Sequence, residues 1–167
     1  MSHIIPFPAA YPARSTALDQ AESVLLLSLR WWVADRRKGE DPLPRLCEAL
    51  GGVGAHDAAF SVDRLMEVIA RSAVRSIEIH APGCTCLSRD ECQVLHAAAL
   101  AQAGNADVAE KALRNCLLSA AGAECAIGPL EGLGELFTSA SLLLRTRRRP
   151  LPAMETWSEA TGPATVH

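Results

Sequence analysis

Residues 80–96 read HAPGCTCLSRDECQVLH and hold the densest group of side chains able to bind a metal or exchange electrons. Cys84 and Cys86 fall in a loop, Cys92 in the first turn of the helix that follows, and His96 four residues further along the same helical face. Two thiolates from the loop, with a thiolate and an imidazole from the helix, make the ligand set of a closed tetrahedral zinc site. His80 is the alternative fourth ligand, because Pro82-Gly83 turns the chain back towards the cysteines. An iron–sulfur cluster would accept the same donors. The loop also offers a second chemistry. Cys84 and Cys86 precede a helix N-terminus, whose free amides favour anions; Arg89 adds positive charge nearby, while Asp90 and Glu91 oppose it. A disulfide across Cys-x-Cys closes a small, strained ring, which suits a redox sensor or small oxidoreductase more than a structural staple. The plainest alternative makes Cys92 a buried thiol and His96 a residue bordering the core.

The spacing His80-x3-Cys84-x-Cys86 resembles in part the HxxxCxxC pattern of zinc-binding anti-sigma factors, with one residue fewer between the cysteines. No role is carried over from it. Cys47 and Cys116 occupy apolar helical positions and read as packing, whereas Cys125 falls in a small-residue loop from which the main cluster is within reach, though nothing in the sequence places it there. Gly51-Gly52-Val53-Gly54 lacks the Lys and Ser/Thr of a phosphate loop, and Asp57 after it reads as a helix cap. No general base stands beside a nucleophile in a recognisable pattern, which leans against an enzyme.

The elements that must position these residues are helical. Ala and Leu abound in the 167 residues, aromatics are only 4%, and an all-α single domain of about six helices forming an irregular bundle is expected. Residues 1–14 read as an extended Pro-rich arm, 15–149 as the helical domain and 150–167 as a partly disordered tail. Helix one is expected from Ser15 or Thr16 to Lys38, with Leu18, Ala21, Leu25, Leu29 and Trp32 on its inner face; Leu26, Leu27 and Val33 widen that face. A second helix carries Leu43, Leu46 and Leu50, and a third runs from about Ser61 to Val74. Arg75–His80 is helix end or loop. Ser88 and Glu91 form a capping box that starts a fourth helix, to about Ala103. A fifth spans Ala106 to about Leu118, with Val108, Ala112, Leu113 and Cys116 inward. The small residues from Ser119 to Gly128 read as a loop, and Pro129 as the start of the sixth helix. Arg145–Arg149 reads as its solvated end.

Charge and hydropathy narrow the function classes. Sixteen Lys and Arg against 19 Asp and Glu give a net charge of −3, which speaks against a dedicated nucleic-acid binder. The most apolar run, Val24–Val33, is about half the length of a bilayer span and contains Arg30, so no membrane segment is expected. Pro6, Pro8 and Pro12 interrupt the N-terminal stretch, which is unlike a signal peptide, and a cytoplasmic setting follows for the six cysteines. The sequence therefore points to a regulatory or interaction protein with a Cys/His zinc site. Its alternatives are a thiol-based redox protein using Cys84 and Cys86, or a helical adaptor without a ligand. The wide face of helix one, with Trp31 and Trp32, suggests a protein partner or a homodimer contact.

Overall fold

Alanine dominates the helix that the rest of the chain surrounds. In a computed structural model that describes residues 10–147, helix α4 (Arg89–Gln102) is buried continuously from Asp90 to Ala101. Ala97, Ala98, Ala99 and Ala101 keep it thin on every side, so neighbours can approach all round it. Those neighbours are α5 (Ala106–Cys116), α6 (Ala120–Ser139) and α1 (Gln20–Lys38). Helices α2 (Leu43–Gly51) and α3 (Ala58–Ser72) complete the bundle, with α3 lying along α6 and α1 contacting both α2 and α3. The architecture is an all-α bundle of six helices, with no strand among the described residues. One apolar core runs through it, from Leu25 and Leu29 on α1 to Leu130, Leu133 and Phe137 on α6.

Several boundaries differ from the sequence expectation, each for a local reason. Helix α1 starts after Asp19: its carboxylate accepts from Glu22 N, and Asp19 N donates in turn to the Glu22 carboxylate. Ser15–Ala17 forms only a 3₁₀ turn before it. Asp57 stands at the α3 boundary without making a capping bond; it pairs with His56 instead, at 3.1 Å. Val108 faces solvent, 50% exposed, while Ala109, Ala112 and Leu113 form the inner face of α5. The Ser88–Glu91 capping box is present as expected.

The largest difference is α6. It begins at Ala120, capped by Ser119, so the segment expected as a loop is two turns of helix, with Cys125 and Pro129 inside it. Its small residues serve close packing. A Cβ on Gly122 would fall 2.3 Å from Ser72 Cβ on α3, and one on Gly134 would fall 2.9 Å from Gln102 Cα on α4. Pro129 withholds a bond from the carbonyl of Cys125, which lies on the exposed face where water can serve it. Beyond α6, residues 142–147 adopt no regular secondary structure, with Leu142 and Leu144 buried. Arg145 and Arg147 are not a free basic end: they pair with Asp19 and Glu22. The expected tail of 150–167 and most of the N-terminal arm lie outside the described residues, as do Arg148 and Arg149.

Candidate functional site: the loop before α4

Two acidic residues in the first turn of α4 fasten the loop of residues 75–88. Asp90 receives both Nη groups of Arg75 at 2.7 and 2.9 Å, together with Glu78 N at 2.8 Å. Glu91 is fully buried and receives four N–H groups: Arg30 Nε at 2.7 Å, Arg30 Nη2 at 3.0 Å, Ser88 N at 2.8 Å and His80 N at 3.1 Å. Its two oxygens have about four lone-pair positions, so the carboxylate is saturated. Burial by itself would raise both carboxyls, but these hydrogen bonds, led by those from Arg75 and Arg30, outweigh it and hold both below their ordinary values.

Arg30, 1% exposed, comes from the middle of the apolar run of α1. Besides Glu91, it donates from Nη1 to the carbonyl of Cys84 at 2.5 Å and from Nη2 to that of Cys86 at 2.6 Å. The opposite edge of the loop pairs with the N-terminal arm. Ser15 N donates to Thr85 O at 2.9 Å, Leu87 N donates to Ala13 O at 3.2 Å, and Arg14 and Cys86 form an antiparallel bridge. Carbonyls thus alternate between Arg30 and the arm, as they do along an extended strand. That alternation puts the Cys84 and Cys86 side chains on one face. Cys86 is exposed, Cys84 half-buried, and Cys86 N lies 3.4 Å from Cys84 Sγ.

The other expected ligands are distributed differently. Cys92 is buried, 6% exposed, on α4, and His96 is buried one turn further on. Burial, and then the neighbouring charge of Glu91, pushes the Cys92 thiol up to about 12. His80 stays with the loop: Nδ1 lies 3.2 Å from Cys86 O, and Nε2 lies 3.1 Å from Glu78 Oε1. Among the described residues no three Cys, His, Asp or Glu side chains are gathered closely enough to hold a metal ion. No protein-family model, curated protein or solved structure matches the chain.

What sequence reasoning missed is Arg30. It stood there only as an interruption of an apolar run, with Asp90 and Glu91 as charges opposing Arg89 and Glu91 as half of a capping box. The signal was the conjunction of the two: a lone Arg amid leucines needs a buried anion, and a capping Glu can be that anion. Among the described residues, no helix is long and apolar enough to cross a membrane.

Proposed function

We propose that the chain is a regulatory or interaction protein whose Cys84-Thr85-Cys86 loop is a reversible dithiol site. The observation that carries this reading is the grip of Arg30 on the carbonyls of both cysteines, which holds the two thiols on one accessible face. Two residues of extended chain span about 6.5 Å. That is near the far end of the Cα separations a disulfide accepts, about 4.4–6.8 Å, so the bond is formable yet strained and readily reduced. In the oxidative step, a peroxide converts one thiol to a sulfenic acid and releases water. The second thiol then attacks that sulfur, forms the S–S bond and releases a second water. Two thiols and one hydrogen peroxide give one disulfide and two waters.

Zinc is the second reading, favoured by His80, whose ring sits beside Cys86 on the same loop. Cys84, Cys86 and His80 would supply three donors, and Cys92 or His96 would have to leave the buried face of α4 to complete four. For a protein partner or a second copy, Trp31 offers an anchor: it borders an open cleft with Pro44, Arg45 and Glu48.

Peroxide titration with peptide mass spectrometry, beside native mass spectrometry in zinc, tests both readings. Loss of two hydrogens within the peptide carrying Cys84 and Cys86 supports the dithiol. A retained zinc ion without a disulfide favours the second reading, and neither result overturns both.

A further inference from the structure

The seam between α3 and α6 is tight at Gly122 and opens into a groove beside it. Arg64, Val68 and Arg71 of α3 face Ala121 and Cys125 of α6 across a cavity of about 300 Å³ with chiefly apolar walls. On α6, Ala121, Cys125, Gly128 and Gly132 recur at i, i+4, i+7 and i+11 and so share one face. A Cβ on Gly128 would meet nothing within 4 Å, so no described residue covers the face at that point. One on Gly132 would lie 3.2 Å from Ser61 Oγ, where α3 closes over it. From Ala121 to Gly128 the floor of small side chains is therefore open for two helical turns, about 10.5 Å.

The α3 rim of this groove is basic. Arg64, Arg71 and, from α1, Arg36 converge on Glu67 at 3.2, 3.9 and 3.4 Å, so three guanidinium groups share one carboxylate. That surplus of two positive charges stands in a chain whose net charge is −3. Arg64 and Arg71 are largely exposed, and Arg71 makes the longest of the three pairs. Phe60, 54% exposed, lies one turn before Arg64 on the same outer face, and Val68 lies one turn after it. Apolar and basic side chains thus alternate along the α3 face that borders the groove.

We infer that the α3–α6 groove is a docking site for an acidic amphipathic helix of a partner protein. Its floor of small residues lets a third helix approach closely, and its apolar walls accept the leucine-type side chains of that helix. Arg64 and Arg71 stand seven residues apart, about 10.5 Å along α3, and so match carboxylates at i and i+7 of the incoming helix. The charge surplus selects an acidic partner over a basic one. This docking site stands independently of the dithiol loop.

Cys125 is exposed on the groove wall, so its alkylation by iodoacetamide in the full chain reports whether the groove is occupied. The probe is a synthetic helical peptide with leucines on its inner face and glutamates at i and i+7; its counterpart carries lysine at both places. The acidic peptide at saturation should slow Cys125 labelling about fivefold or more, because labelling follows the unbound fraction. Exposed Cys86 should keep its rate, and the lysine peptide should protect neither cysteine. Arg64→Glu with Arg71→Glu should weaken the acidic peptide about tenfold and admit the lysine peptide instead. Arg71→Gln, which removes a charge without adding a like one, should weaken the acidic peptide about two- to fivefold. No protection up to the solubility limit of the acidic peptide overturns the docking site. Equal protection by both peptides, protection shared by Cys86, or unchanged affinity in the reversed variant does the same. Sedimentation of the chain alone covers the remaining occupant: a dimer that Arg71→Gln dissolves would give the groove to a second copy and overturn the partner helix.

Discussion

The N-terminal end of α4 and the seam between α3 and α6 are both close fits, made by opposite means. At the seam, side chains are absent: Gly122 lets α6 meet Ser72, and any Cβ there would overlap it. At the end of α4, side chains are charged, and every oxygen of Asp90 and Glu91 has a donor. The seam gains dispersion contacts and removes apolar surface from water, which fixes where helices lie. The charged end contributes little net stability, because burying Arg30 and Glu91 costs desolvation comparable to their attraction. What it supplies is direction. A guanidinium and a carboxylate select particular backbone groups, and here they select the carbonyls of Cys84 and Cys86.

Breaking one partner of the charged end should have the largest effect. Glu91→Ala leaves Arg30 buried without its anion and frees Ser88 N and His80 N, so thermal or urea unfolding should show a loss of about 3–5 kcal/mol. Replacing both partners, Arg30→Met with Glu91→Leu, should return the part of that loss due to the unpaired Arg30 charge, while leaving Ser88 N, His80 N and the loop carbonyls without these partners. Were the double variant as unstable as the single one, the pair would be structural in the ordinary sense, and the contrast with the seam would collapse.

At the seam, Gly122→Ala should cost about 1–3 kcal/mol, because Ser72 Cβ cannot rotate away from the added methyl. Chemical denaturation measures this, and an unchanged midpoint would show that the helices can separate freely.

The smallest expected effect is on pH dependence. Asp90 and Glu91 are held below their ordinary values of 3.8 and 4.5, so near those values the unfolded chain binds more protons than the folded one. The stability they confer is present above pH 4.5 and is lost as the pH falls through their lowered values. Asp90→Asn should flatten the acid limb of the stability curve; an unaltered limb would mean that Arg75 does not hold its charge.

Most of the bundle was legible because periodicity and caps agree. Ser88 with Glu91 marked the start of α4, and Leu25, Leu29 and Trp32 marked the inner face of α1. The first two turns of α6 were not legible. Gly122 and Gly128 have the local signature of a loop, and only the proximity of Ser72 reveals that Gly122 is a packing residue. At the candidate site, the sequence singled out the loop cysteines, the capping pair and His80. Arg30 was hidden by its distance along the chain, 61 residues from Glu91. Helical spacing grouped Cys92 with the loop thiols, but it could not show that Cys92 is buried on α4 and that no metal-binding group forms with it among the described residues.

The central claim is that Arg30 and Glu91 hold Cys84 and Cys86 as one dithiol. It is tested most directly by titrating the intact chain and the Arg30→Met/Glu91→Leu variant against a series of glutathione redox buffers, with the Cys84–Cys86 disulfide quantified by peptide mass spectrometry. In the intact chain, the internal disulfide should form in preference to mixed disulfides with glutathione. In the folded variant, the balance should shift about tenfold towards the mixed species, as orientation of the two thiols is lost. Equal proportions of internal disulfide in the two proteins, or none in either, would contradict the account.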